Sequence, residues 1–347
     1  MKLLLVLALS FLLILSGSSG AATVSPIKSN FGTSVTSQIM TVLWVAKDQN
    51  LFRKHGLDIQ LIRMPSSAVS LSALLVGEID MVAVGPGRLL NAATAGGDLV
   101  GVANLGNDLD YRLIARPEIK KPGDLHGKRV AISGPGSVSH IVALLALQKL
   151  GIDPRQARIT FLAIPGTEVN YRTALETGTV DAAPLNGPVG DYYSSRGYSL
   201  LYNLQTSGVA MPQDLLVTTK RILTSRGPIV EAQIKAFVEA IAYLQDARNK
   251  ASVKRSVASN MRLNDETVIE ETYQTVLQSY ERAPYPNLDG MKQLQTLLTS
   301  VNPKLRDLKT ETIVDGGFIS RLESSALFKT STRNPETFAS RSYTEPA

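Results

Sequence analysis

The sequence predicts two α/β lobes of similar design, and three observations carry that reading. Short apolar runs of strand length alternate with longer runs of helical spacing through residues 24–204, which is the pattern of βα units rather than of an all-β or all-α chain. A signature recurs about one hundred positions on: Ala73-Leu74-x-x-Gly77-x-Ile79-Asp80 is matched by Ala174-Leu175-x-x-Gly178-x-Val180-Asp181, followed by Gly85-Pro86 in one copy and Gly187-Pro188 in the other. Residues 128–151, KRVAISGPGSVSHIVALLALQKLG, read as a strand, a glycine loop that no strand can continue, and a helix apolar on every side. At 347 residues the chain has ample material for two such lobes.

The elements follow in order. Met1-Lys2, an uncharged stretch over 3–15 and small residues over 16–22 predict a signal peptide of residues 1–22. Its apolar part is shorter than the roughly 20 residues that span a bilayer. Residues 23–108 form the first part of lobe 1: a strand at 24–30, a helix over 37–54 closed by His55-Gly56, a strand at 57–63, a helix at 68–76 ended by Gly77, a strand at 79–84, a helix to about 95 and a strand at 99–103. Lobe 2, residues 109–213, repeats the series. Ser34-Val35-Thr36 answers to Ser137-Val138-Ser139, Gly56-Leu57-Asp58 to Gly151-Ile152-Asp153, Met64-Pro65 to Ile164-Pro165 and Val69 to Val169. Residues 106–116 and 120–125 are read as the outward crossing, and 214–219 (DLLVTT) as a strand of the return crossing. Residues 214–330 complete lobe 1 with helices at 228–244, 265–280 and 288–299, and residues 331–347 are expected to be a disordered tail.

In an open α/β sheet, ligands sit beyond the carboxyl ends of the strands, where loops lead into helix starts. Three loops per lobe meet that description. In lobe 1 they contain Thr33, Ser34 and Thr36, then Ser66 and Ser67, then Gly85, Pro86 and Arg88. In lobe 2 they contain Ser133, Gly134, Gly136, Ser137, Ser139 and His140, then Gly166 and Thr167, then Asn186 and Gly187. Facing lobes would wall one cleft with hydroxyls and backbone amides, which suits holding a small polar molecule rather than transforming it. Arg88 and His140 could balance an anionic group, and Tyr171, Tyr192, Tyr193, Tyr198 and Tyr202 could stack on an aromatic one.

Other chemistries lack their residues. The chain has no cysteine, hence no disulfide, thiolate nucleophile or lipid-modified cysteine. The glycine series at 134–139 fails at Ser139 as a dinucleotide fingerprint, and no G-K-S or G-K-T follows. His55, His126 and His140 are not at metal-ligand spacing. The acidic pairs Asp108/Asp110 and Glu270/Glu271 offer no acid–base arrangement, and G-x-S-x-G is absent. Net charge is +6 with the basic residues scattered, so no nucleic-acid stripe forms.

Several motifs together resemble one family. The stretch DLHGKRVAISGPGSVS at 124–139, the two A-L-x-x-G-x-[IV]-D repeats, GLDI at 56–59 and IVDGGFISRLE at 313–323 are similar to extracytoplasmic substrate-binding proteins of ABC importers, in the subgroup serving nitrate, taurine, aliphatic sulfonates and pyrimidine precursors. The resemblance covers about residues 23–327. It implies the type II periplasmic binding protein fold, a Venus-flytrap of two lobes joined by two hinge crossings, closing on a small polar or anionic ligand. It also implies an ABC permease as partner, a monomer without cofactor or metal, and a soluble periplasmic or secreted location without a lipid anchor. The same fold could serve a receptor as a sensing domain. Catalytic relatives make the thiamine pyrimidine, but through a cysteine-rich segment that this chain lacks.

Overall fold

The computed structural model describes residues 25–34, 37–106, 110–164, 168–206, 211–299, 301–325 and 328. The expected signal peptide, the expected tail and the site candidates Thr36, Gly166 and Thr167 lie outside the described residues.

Among the described residues ten strands make two five-stranded mixed sheets: β1 (Ile27–Thr33), β2 (Leu57–Arg63), β3 (Met81–Val84), β4 (Leu99–Asn104) and β10 (Leu215–Thr219) in the first, and β5 (Tyr111–Ala115), β6 (Arg129–Ile132), β7 (Thr160–Ala163), β8 (Ala182–Asn186) and β9 (Ser199–Asn203) in the second. Their orders, β2-β1-β3-β10-β4 and β7-β6-β8-β5-β9, are the same pattern. The first three strands run parallel in each. The fourth is antiparallel and is exchanged: β5 enters the second sheet straight from the first, and β10 enters the first straight from the second.

The sequence reading of 214–219 as a returning strand holds. Residues 106–116 are not mere connection, however, because Tyr111–Ala115 is strand β5, buried at the heart of the second sheet. The charge of Arg112 hid it. That guanidinium is buried but paired with Asp110 and Asp191, so the strand carries a charge without leaving it unpaired.

The repeated signature has one structural job in both sheets. Gly77 and Gly178 adopt left-handed conformations, φ +86° and +73°, past the ends of their helices, a geometry glycine reaches without strain. Asp80 then accepts the Asn30 N–H at 2.9 Å, and Asp181 the Arg129 N–H at 2.8 Å. Each acid thereby ties the edge of its third strand to the first.

Two helical expectations need correction. The 37–54 segment is a short 3-10 turn, a helix Thr41–Asp48 and a further turn Leu51–Lys54, broken where Asn50 takes φ 54°. Around the first lobe, Lys220–Gln245 is a long helix kinked near Arg226 and Pro228, and Lys250–Met261 is an additional helix that charge and β-branched residues had masked. Glu266–Ser279 and Leu288–Thr299 stand where expected.

Candidate functional site

The carboxyl ends of β1, β3, β6 and β8 face one another across a cavity of about 200 Å³. One wall carries Ser34, Ser66, Ser67, Gly85 and Arg88 from first-sheet loops, and the other Ser133, Ser137, Ser139 and Asn186 from second-sheet loops. Nine of the predicted residues therefore share one cleft. Helix starts open onto it. Ser66 accepts the Val69 N–H and Ser137 the His140 N–H, each at 3.3 Å, and Gly85 and Asn186 cap helices that begin Pro86 and Gly187-Pro188.

The lobes meet along a glycine seam. A methyl group added at Gly87 would lie 2.6 Å from the Gly136 carbonyl oxygen, one at Gly85 would lie 3.0 Å from Val138 Cγ2, and one at Gly134 would lie 2.7 Å from an Arg88 nitrogen. Gly134 and Gly136 have φ of +140° and +73°. The glycines Gly134 and Gly136 shape the loop and bring backbones together instead of lining the cavity.

Most second-lobe hydroxyls are occupied by one another. Ser139 Oγ accepts the Ser133 N–H at 2.8 Å and lies 2.9, 3.0 and 3.0 Å from the hydroxyls of Ser133, Ser137 and Tyr171, while the Tyr171 hydroxyl donates to Ser133 at 2.6 Å. The wall is consequently preorganised. Across the cavity Ser34 and Ser67 form a single hydroxyl pair at 2.9 Å.

His140 does not face a ligand. It is buried, its Nδ1 accepts the Gly136 N–H at 3.0 Å, and its ring meets Phe161 edge-on at 4.9 Å. Burial, with Arg88 adding to it, pushes its pKa down to about 4, so it is a neutral brace for the glycine loop and not a counter-ion. Thr33 turns its hydroxyl to Met40 Sδ, Pro86 starts its helix, and Gly187 packs against Asp110. None of these four lines the cavity.

Arg88 does line it. Burial lowers its pKa, opposed by Tyr171, and its Nε has no hydrogen-bond partner. The sequence reading missed two acids on the same cavity, Glu168 and Asp214. Glu168 accepts the Asn186 N–H at 2.6 Å and the Asn186 side-chain amide at 2.7 Å, and burial raises its pKa. Asp214 is 2% exposed, its Oδ1 has no partner, and burial pushes its pKa up to about 7. Ser37, also missed, is buried with an unpartnered hydroxyl on the cavity. One signal could have found it. Ser37 and Ser137 each cap the first helical turn of their lobe, so the loops align on those serines and not Ser34 on Ser137. For Asp214 the signal was a lone acid at the mouth of an otherwise uncharged strand. Among the described residues no group of three or more His, Asp or Glu side chains is placed to hold a metal, and no helix is long and apolar enough to cross a membrane.

Comparison with known proteins agrees with this architecture. A Brucella abortus (strain 2308) protein named as a binding protein is 28% identical over 166 residues, 47% of this chain and 48% of that protein, so the chain spans about half the length of the curated relatives it matches first. An Escherichia coli (strain K12) protein named for aliphatic sulfonate binding is 29% identical over 258 residues, 72% of this chain and 77% of its own. The solved alkanesulfonate-binding protein SsuA of Xanthomonas axonopodis pv. citri, bound to MOPS, shares the fold with a TM-score of 0.67 at 23% identity over 84% of this chain and 99% of that one. The desulfurization enzyme DSZB shares it more loosely, with a TM-score of 0.58 at 15% identity over 85% and 98%, so the fold alone does not separate binding from catalysis. Residues 38–251 match the family described as NMT1/THI5 like, and the chain belongs to that family.

Proposed function

We propose that this chain is the solute-binding component of an ABC importer, which holds a small polar or anionic organic molecule between its lobes outside the cytoplasm and delivers it to a membrane permease. The observation that carries this reading is the cleft itself: exchanged strands link two equivalent sheets, and the loops of both wall one cavity containing an arginine whose Nε is unpartnered. Its volume of about 200 Å³ lies below the roughly 300–1,000 Å³ of pockets for drug-sized ligands, which favours a solute of a few heavy atoms of the sulfonate, nitrate, carboxylate or pyrimidine class. Helix starts at Ser66, Gly85, Ser137 and Asn186 supply N–H donors, and Arg88 supplies charge. Ser34, Ser66, Ser67, Ser133 and Ser137 add hydroxyls from both sides, so closure and binding are one event.

A thermal-shift screen of sulfonates, nitrate, carboxylates and pyrimidines tests this. A solute at one hundred times its dissociation constant should add about 2.7 kcal/mol of stability. Denaturing the loaded protein should then release the compound unchanged. A melt shifted only by nucleotides, or a compound returned chemically altered, would overturn the reading.

A further inference from the structure

Asn186 is the only asparagine in the chain that is followed by glycine. That pairing is labile in water, because glycine has no side chain to shield its backbone nitrogen or restrict its approach. Hydroxide takes the Gly187 amide proton and the nitrogen attacks Asn186 Cγ. The new N–Cγ bond forms as the Cγ–Nδ2 bond breaks, and ammonia leaves with a proton drawn from water. A further water then opens the cyclic imide to aspartate or isoaspartate.

Packing forces the glycine but not the asparagine. A methyl group at 187 would collide with the Asp110 carboxylate, whose Cγ lies 2.6 Å from the added carbon and whose Oδ1 is held by Arg112 at 2.7 Å. In the first sheet β3 ends in Val84, immediately before Gly85, where β8 ends in Asn186 before Gly187. The repeat therefore works without an amide at this place, and the one it has in the second lobe stands on the cavity.

Three features hold the reaction off. The Gly187 N–H that must be lost donates to the Asp110 carbonyl oxygen at 2.9 Å. The amide that must leave is gripped by Glu168, whose Oε2 accepts from Asn186 Nδ2 at 2.7 Å while Oε1 accepts the Asn186 N–H at 2.6 Å. With ψ at 151° the Gly187 nitrogen is turned away from Cγ, so ring closure requires the side chain to leave Glu168 and the backbone to rotate out of the extended region.

We propose that Asn186-Gly187 is a deamidation site on the cavity wall, and that Glu168 is the positioning residue that gates it. The chemical lifetime of the cleft is then set by how often the Glu168 clamp opens. Conversion to aspartate replaces the amide donor that Glu168 holds with a second carboxylate, so the wall is broken where it happens. The inference does not depend on the solute-binding reading.

Peptide mass mapping provides the test, since the tryptic fragment 173–196 contains Asn186 and no other asparagine or glutamine. The full chain is kept at pH 8, folded in buffer and, in parallel, unfolded in guanidinium chloride. In the unfolded chain Asn186 should convert ahead of every other asparagine, and in the folded chain about tenfold or more slowly. Glu168→Ala, checked as folded by circular dichroism, should convert at least about tenfold faster than the folded parent, as expected when hydrogen bonds to a charged acceptor are lost. Glu168→Gln keeps one acceptor and should fall between the two; it carries the comparison if the alanine variant does not fold. Asn186→Asp, which copies one product, should melt below the parent at pH 8. Equal rates in the folded and unfolded parent, or a folded Glu168 variant no faster than the parent, would overturn the gate. An unfolded chain that spares Asn186 would overturn the site, and an Asn186→Asp protein that melts with the parent would overturn the damage to the wall.

Discussion

Two aspartates stand at the heads of the two exchanged strands, and their circumstances differ. Asp110 meets Arg112, a side chain 7% exposed that also makes a two-pronged contact with Asp191 at 2.9 and 3.0 Å. Asp214 meets no cation among the described residues and stands over the cavity with Oδ1 unpaired. The frames around them are matched: the same strand order, the same left-handed glycine after the helix that leads into the third strand, the same acid-to-backbone tie at Asp80 and Asp181. The comparison shows that the two lobes share what holds each sheet together, whereas an unpaired acid stands on the cavity where one lobe lacks its twin's internal partner. Symmetry supplies the scaffold, and its failure supplies the site.

Removing Arg112 would break the comparison most severely. Arg112→Leu copies into the second lobe the leucine found at 216, leaving without their shared cation Asp110, 12% exposed at the head of a buried strand, and Asp191, 56% exposed on the helix Gly187–Ser195. The expected loss is about 3–5 kcal/mol, the cost of stranding one side of a buried pair, read as a fall in the urea midpoint at unchanged slope. A loss below about 1 kcal/mol would mean that the Asp110 pair behaves like a surface one.

Asp214 should behave in the opposite sense. Its pKa in the folded protein, about 7, lies above the ordinary 3.8, so between those values the folded state keeps a proton that the unfolded chain has released. Stability therefore falls as pH rises through this window, and the full penalty is present above pH 7. Asp214→Asn removes the penalty. The ligand-free variant should gain on the order of 2–4 kcal/mol over the parent above pH 7 and little near pH 4. His140, with its pKa down at about 4, acts in the reverse direction as pH rises toward 6.5, but is common to both proteins and cancels. Tyr111 and Tyr280, the other titrating groups in the field of Asp214, are raised beyond the range used. A difference between variant and parent that does not grow with pH would refute a buried, unpaired acid at this position.

The hydroxyl walls provide a finer contrast. Ser139 is the hub of four hydroxyls and the acceptor for a backbone N–H, whereas Ser34 shares a single hydroxyl pair with Ser67 among the described residues. Ser139→Ala should cost about 1–2 kcal/mol, because a buried donor loses its acceptor, and Ser34→Ala about 0.5–1 kcal/mol. Chemical denaturation of the ligand-free protein would show the two as equal if the network were merely a set of independent pairs.

Much of this was legible before any coordinates. Helix-ending glycines and apolar runs of length four to seven mark elements because both depend on local backbone physics, and Leu57–Arg63 and Leu288–Thr299 fall where the spacing puts them. What sequence reading lost were features that depend on distant partners. Strand β5 was hidden because Arg112 looks like a loop residue until Asp110 and Asp191 are seen around it. His140 looked like a counter-ion because nothing local shows that the Gly136 amide already occupies its nitrogen. Asp214 and Glu168 escaped because nothing local marks an acid as facing a cleft, and their placement requires both lobes at once.

The smallest effect expected isolates closure from folding. Gly87 lies in the first turn of the helix Pro86–Thr94, where alanine is a better helix former than glycine by roughly 1 kcal/mol. The nearest atoms to the added carbon are the Gly136 carbonyl oxygen across the seam at 2.6 Å and, within the first lobe, the end of the buried Leu298 side chain, Cδ1, at 3.0 Å. Gly87→Ala should thus leave the melting temperature of the ligand-free protein equal or slightly raised, since open lobes have room for the methyl group. Affinity should fall about tenfold, because the closed form becomes a minority that the ligand must select. The partner position is less clean, since Gly136 has φ +73° and any side chain there strains the loop itself. A Gly87→Ala protein that binds as tightly as the parent would mean that the seam yields without cost, and that the cleft does not depend on backbone contact between the lobes to hold its solute.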